Sequence, residues 1–242
     1  MSFFHNGVTA HRGNPVEFPE NTIPGFRSGI ELGADWLELD VHLSRDGELV
    51  VCHDHTTGRT ANHNLVIAET AWPELRELEF GTPACPARMP LLREVIELVQ
   101  TQRRTRLSIQ PKADCVPETV ALVQKLGAEE WIGFNDGDVR KLAQARDLLP
   151  DAYIFLDTPP AITGVEGIVV QAHEHGFQAV VMHHSTVTPE RVETLHDAGL
   201  EVGAWTVNEP SHMRAMLDAG VTRLYSDVPR RFHALVGRGM GG

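Results

Sequence analysis

Between Leu37 and His42 the residue types alternate: Leu37, Leu39 and Val41 are apolar, whereas Glu38, Asp40 and His42 carry polar groups. A strand points successive side chains to opposite faces, so this pattern sets two carboxylates and an imidazole side by side on one face. Strand geometry separates the carboxylates by about 7 Å. If that face is shielded from water, their repulsion requires a shared proton or a bound cation. A half-exposed strand with its polar face in solvent would show the same alternation. Further along the chain are His11-Arg12-Gly13, His53-Asp54 and Ser108-Ile109-Gln110-Pro111-Lys112. Two imidazoles, an Arg and a Lys beside a pair of carboxylates are groups able to move protons, to hold a cation, or to set positive charge against an anion. Taken singly, each of the 13 histidines is more simply a structural or exposed residue, so position has to distinguish them.

Short apolar runs alternate with longer amphipathic ones along the chain, as in repeated βα units around a parallel sheet. Strands are expected at 7–10 (ending at His11), 36–41, 105–110, 131–134, 153–156, 179–182, 201–205 and 223–225. Helices are expected at 22–32, 91–102, 117–126, 138–149, 167–175, 189–198, 212–219 and about 230–236. Asn21 or Thr22 would cap the first helix, with Pro24 in its first turn. Eight such units close into a (β/α)8 TIM barrel, and a single domain spanning 1–242 is expected. An insertion at about 43–90 departs from the series. It holds a short strand at 48–52, entered through the turn Arg45-Asp46-Gly47, and then a polar, irregular stretch from Thr56 to Pro90 that would overhang the rim. A barrel carries its chemistry on the loops at the C-terminal ends of its strands. His11, Arg12, Glu38, Asp40, His53, Gln110 and Lys112 all fall there, whereas ordinary surface groups would be scattered over both ends.

The 242 residues are 42% hydrophobic and 22% charged, with a formal charge of −12. That charge opposes sequence-independent attraction to nucleic acid or anionic lipid, and leaves a small anionic substrate to be met by local cations. Cys52, Cys85 and Cys115 are too few and too irregularly spaced for a disulfide framework or a zinc site. The stretch Met1-Ser-Phe-Phe-His-Asn-Gly7 has no basic start and no long apolar run, so a cytoplasmic, soluble protein without stable membrane association is expected.

The motifs His11-Arg-Gly13, Pro19-Glu-Asn-Thr22, Gly33-Ala-Asp-Trp-Leu-Glu-Leu-Asp-Val41, Asp46-Gly47, Val51-Cys-His-Asp54, Trp205-Thr-Val-Asn208 and Ser226-Asp-Val-Pro229 occur in this order. In them the chain resembles the glycerophosphodiester phosphodiesterase family. The resemblance implies a TIM-barrel hydrolase that uses a divalent cation, Mg²⁺ or Ca²⁺, to cleave a small-molecule glycerophosphodiester to glycerol 3-phosphate and an alcohol. It implies His11 and His53 as the general acid–base pair, with the substrate's own glycerol hydroxyl attacking first to give a cyclic phosphate that water opens. Arg12 and Lys112 would grip phosphoryl oxygens, or pair with neighbours such as Glu20 or Glu38.

One position departs from the family pattern. Where the resemblance implies a third metal-binding Glu, two residues before Lys112, this chain has Gln110. An amide oxygen is still a hard ligand but brings no charge, so Glu38, Asp40 and Gln110 would hold a cation more weakly than three carboxylates. Alternatively, Gln110 only bonds a neighbour. Phe134, Phe155 and Trp205 fall at strand ends and would wall a substrate pocket or form the top layer of the core, and His184, with His183, would reach the substrate. Glu20 and Asn21 would orient Arg12 and start the first helix, and Asp227-Val-Pro229 would close the last strand and cap the last helix. Two other functions fit the same motifs: cleavage of another diester, such as a lysophospholipid or a sugar phosphate, and a non-catalytic binding protein. The second has no need for a paired acid and base.

Overall fold

The computed structural model describes residues 7–237. Eight strands form the closed barrel: β1 (Gly7–His11), β2 (Trp36–Leu43), β6 (Arg106–Pro111), β7 (Ile132–Asp136), β8 (Tyr153–Asp157), β9 (Ala179–His183), β10 (Glu201–Trp205) and β11 (Arg223–Ser226). Each pairs in parallel with its neighbours, and β1 closes the ring by pairing with both β11 and β2. The remaining strands, β3 (Leu49–Val51), β4 (Phe80–Thr82) and β5 (Cys85–Ala87), lie outside the ring. β3 runs antiparallel along the far end of β2, and β4 and β5 form a hairpin.

Helices α1 (Ile23–Glu31), α3 (Leu92–Gln100), α4 (Val116–Lys125), α5 (Val139–Leu148), α6 (Glu166–Glu174), α7 (Pro189–Asp197), α8 (Pro210–Asp218) and α9 (Pro229–Val236) connect or follow the barrel strands; α2 (Trp72–Leu75) is a single turn in the insertion. In α3 the buried residues Leu92, Val95, Ile96 and Val99 recur at helical spacing. Its first turn is closed by the Glu94 carboxylate, which accepts from the Leu91 N–H at 2.8 Å.

Strand parity divides the core into two layers. Leu37, Leu39 and Val41 of β2 face outward and bury with Leu107, Ile109, Phe134, Ile154 and the inner faces of the helices. Trp36, Phe155, Ala179, Val181 and Tyr225 fill the barrel interior. Room inside is scarce: a Cβ at Gly133 would lie 2.7 Å from the Tyr153 carbonyl oxygen and 3.0 Å from the Trp36 ring. Glycine there lets the large rings interdigitate. Because Glu38 and Asp40 share the parity of Trp36, they too point inward.

The insertion is more ordered than its polar sequence implies. Besides β3, α2 and the β4–β5 hairpin, it holds its own apolar cluster of Val50, Cys52, Ile67, Leu75, Leu78, Phe80, Ala87, Met89 and Leu91. Among the described residues no helix is long and apolar enough to cross a membrane. The expectation drawn from Met1 to Asn6 lies outside the described residues.

Candidate active site

A cavity of ≈ 430 Å³ opens where the barrel strands end. His11, Arg12, Glu38, His53, Gln110, Lys112 and Trp205 line it, together with Asn135, Asp157 and Tyr225. The groups singled out by residue type thus converge on one mouth. Glu38 and Asp40 are 2% and 1% exposed, which rules out a strand whose polar face is in solvent.

Each of the two cavity histidines has its Nδ1 against a carboxylate. His11 Nδ1 is 2.7 Å from Asp227 Oδ1 and His53 Nδ1 is 2.7 Å from Asp54 Oδ1. Asn208 donates to Asp227 Oδ2 at 2.8 Å, holding that carboxylate in place. His42, on the same face as Glu38 and Asp40, has its Nε2 3.2 Å from the His53 carbonyl oxygen. Burial works against charge on His11, but the bond to Asp227 and the field of Glu38 outweigh it, and the imidazole pKa rises above 6.5. Burial likewise opposes the Asp227 charge, yet the His11 bond holds its pKa below the usual carboxylate value.

Asp40 anchors the cationic side of the site. Lys112 Nζ is 3.2 Å from its Oδ1, Arg12 Nε is 3.5 Å from Oδ2, and the Asn21 amide donates to Oδ2 at 2.9 Å. Although burial favours the neutral acid, Lys112 and Arg12 keep Asp40 below the ordinary carboxylate range. Glu38 is different: burial, and then the charge of Asp40, raise its pKa. Its Oε2 accepts the Arg12 backbone N–H at 3.2 Å and lies 3.9 Å from His11 Nε2.

Arg59, from the insertion, joins the two sides. Its Nε donates to Asp54 Oδ2 at 2.6 Å, and its Nη1 and Nη2 grip both Glu20 oxygens at 2.7 and 2.8 Å. Glu20 also accepts from Arg12 Nη1 at 3.2 Å. A chain of side-chain hydrogen bonds therefore runs from His53 through Asp54, Arg59 and Glu20 to Arg12. Residue type alone offered no reason to choose Arg59 in a stretch of irregular sequence.

Gln110 Oε1 accepts from Lys112 Nζ at 2.5 Å, and its Nε2 donates to Asp157 Oδ2 at 3.3 Å. Asn135 donates to the same Asp157 oxygen at 3.1 Å. Burial, with Glu38 and Asp136 adding repulsion, pushes Asp157 up to about 7. Among the described residues no three Asp, Glu, His or Cys side chains already stand at ligand spacing around one point. The donor chemistry nevertheless suits a hard cation: Glu38, Asp157 and Gln110 bring oxygens to the cavity. Beside them the Tyr225 hydroxyl is buried without a hydrogen-bond partner among the described residues.

Several expectations need correction. Phe134 has outward parity on β7 and is buried under the helices, so it does not wall the cavity; its neighbour Asn135 does. Phe155 points inward but lies below the cavity, edge-on to Trp36 and Tyr225. His184 sits in a 3-10 turn at the rim, stacked on His212 at 5.9 Å, outside the cavity lining. His183 packs edge-on against Trp205 at 5.1 Å. Asp227 is a partner of His11 and does not cap the last helix, where Val228 holds the N-cap position, and Asn21 bonds Asp40 rather than starting α1. Thr22 holds the N-cap position, with its hydroxyl donating to the Pro19 carbonyl oxygen at 2.6 Å. Asp157 was missed because Tyr153 to Leu156 accounts for a strand by itself. Its parity with Phe155 is the signal that would have found it.

The model of the glycerophosphoryl diester phosphodiesterase family matches residues 11–231. A glycerophosphodiester phosphodiesterase from Caldanaerobacter subterraneus subsp. tengcongensis is 29% identical over 242 residues, covering 96% of this chain and 98% of that one. A solved structure from Silicibacter pomeroyi aligns with a TM-score of 0.87 at 25% identity, covering 97% and 94% of the two chains. An Oleispira antarctica phosphodiesterase, solved with its product sn-glycerol-3-phosphate, aligns with a TM-score of 0.84 at 24% identity, covering 96% of each.

Proposed function

The chain belongs to the glycerophosphoryl diester phosphodiesterase family, and from that premise we propose that it is a hydrolase releasing glycerol 3-phosphate and an alcohol from a glycerophosphodiester. Proton transfer falls to His11 and His53. The observation that carries this reading is that both imidazoles line one cavity and each has a carboxylate at Nδ1, 2.7 Å away. A carboxylate there fixes the Nδ1 proton, so Nε2 is the nitrogen that exchanges protons with substrate.

In the first step one imidazole takes the proton of the substrate's free glycerol hydroxyl as that oxygen attacks phosphorus. The other gives a proton to the departing alkoxide. The product is a cyclic phosphate and free alcohol. In the second step the roles reverse as water opens the ring. Arg12 and Lys112 line the same cavity and supply positive charge to the phosphoryl oxygens, an effect that grows as negative charge builds in the transition state. Their tie to Asp40 holds both in place before substrate arrives.

Oxygens of Glu38, Asp40 and Gln110 are the family-like positions for Mg²⁺ or Ca²⁺, and such an ion, when bound, supplies further charge to the phosphoryl group and lowers the pKa of a bound hydroxyl or water. The test is release of glycerol 3-phosphate from glycerophosphocholine with and without EDTA. His11→Ala and His53→Ala should each lower the rate by roughly 10²- to 10⁴-fold, and EDTA should abolish it in a way that added Mg²⁺ or Ca²⁺ reverses. Full activity in either variant would overturn the acid–base assignment, and indifference to EDTA the metal.

A further inference from the structure

We propose that Asp157, the last residue of β8, supplies the third negative charge of the cation site, in place of the carboxylate that Gln110 does not provide; this rests on the metal-dependent reading above. Three carboxylates lie at the site, and they are not equivalently partnered. Asp40 is neutralised by Lys112 and Arg12. Glu38 and Asp157 line the cavity, and among the described residues neither has a Lys or Arg side chain within ion-pair distance. Buried or half-buried carboxylates facing one cavity need a countercharge, and a divalent cation between them supplies it.

The hydrogen bonds around Gln110 explain why the charge sits on β8. The Gln110 amide N–H₂ donates to Asp157 Oδ2 at 3.3 Å while its carbonyl oxygen takes the Lys112 ammonium. A Glu at position 110 would put a second carboxylate oxygen where the amide nitrogen now is, against Asp157. Positions 110 and 157 therefore accommodate one negative charge between them, and this chain has placed it beside the family-like position, two strands along the ring. Asn135 contributes a second amide to the same oxygen and orients the carboxylate. An independent observation points to a ligand at the same place. The Tyr225 hydroxyl, on a residue only 3% exposed, lines this cavity and has no hydrogen-bond partner among the described residues. A cation's water shell, or a phosphoryl oxygen on it, satisfies that hydroxyl. Asp157 then acts on the cation directly or through one such water, and either arrangement makes its charge part of the affinity.

The experiment is calorimetric titration of Mg²⁺ and Ca²⁺ into the substrate-free protein, so the readout is binding and not turnover. Asp157→Asn should weaken cation affinity by roughly 10- to 100-fold. Moving the charge back, in the double substitution Gln110→Glu/Asp157→Asn, should restore wild-type affinity to within a few-fold. Glu38→Gln serves as the control for the site itself. Unchanged affinity in Asp157→Asn alongside a loss in Glu38→Gln would overturn the role of Asp157 and leave the metal reading standing. No cation uptake by the wild type would overturn both. Should Asp157→Asn fail to fold, the double substitution decides alone: wild-type affinity supports the relocated charge and weakened affinity overturns it.

Discussion

Arg12 and Asn21 are the two non-glycine residues, among those described, with positive φ, 54° and 55°. Such backbone costs on the order of 1–3 kcal/mol per residue and persists where the surroundings over-determine it. Both side chains end on Asp40, so the strained backbone is spent on aiming an Arg and an amide at one buried carboxylate. The same scale decides how His11 behaves. Its pKa is raised by Asp227, and Asp227's is lowered by His11. Replacing Asp227 by Asn should move the limb of the pH–rate profile that belongs to His11 toward acid, because the bond that raised the pKa is gone. For stability the sign runs as linkage requires. The raised His11 pKa contributes stability below 6.5 that is lost as pH rises through the folded value. The lowered Asp227 pKa contributes stability above the ordinary carboxylate value that is lost as pH falls through its own. The midpoint of urea unfolding should therefore differ most between wild type and Asp227→Asn in the mildly acidic range between these two values. A profile and a midpoint difference that are both unmoved would refute the pairing.

At the scale of elements, the barrel strands supply the cavity floor and the insertion supplies His53 with its supporting carboxylate. The link between them is Arg59, whose contacts reach Glu20 before α1 and Asp54 after β3. An exposed ion pair contributes little to stability, so the expected effect of Arg59 is on positioning. Arg59→Ala should lower kcat by about 10²-fold through misplacement of His53 and Arg12, with Tm shifted by no more than a few degrees. Arg59→Lys, which keeps the charge but not the fork, should recover only part of the rate. Steady-state kinetics with thermal melts would check this, and a full-rate Arg59→Ala would sink it. How far the sequence was legible also shows at this scale. Strand parity was readable in β2, where polar and apolar residues alternate cleanly, and Glu38 and Asp40 were placed correctly from it. In β7 and β8 the burial does not alternate with residue type, so the pattern leaves open which way Phe134 faces and does not single out Asp157.

Across the whole molecule a formal charge of −12 coexists with a site whose cations, Arg12 and Lys112, are gathered at one mouth. The general field repels anions, and the local one receives them. A divalent ion bound only by the folded chain would stabilise it by about 2.7 kcal/mol at a concentration 100 times its Kd. For a chain of this size that corresponds to a rise in Tm of roughly 5–10 °C. Differential scanning calorimetry with saturating Mg²⁺ or Ca²⁺ should show this rise and EDTA should remove it. A Tm indifferent to both would contradict the proposed cation.

Periodicity is a property of neighbouring residues, which is why the succession of strands and helices, the inward pairing of Glu38 with Asp40 and the motif histidines could be read directly from the chain. Contacts between distant residues depend on how the ring closes and in what register. The bond between His11 and Asp227 spans 216 positions, and that between Gln110 and Asp157 spans 47. Only closure of β1 onto β11 brings the first pair together, and only the parallel register of β6, β7 and β8 sets the second side by side at the mouth. The residues proposed for catalysis were therefore a matter of local pattern, and their partners, which set charge and orientation, a matter of tertiary structure.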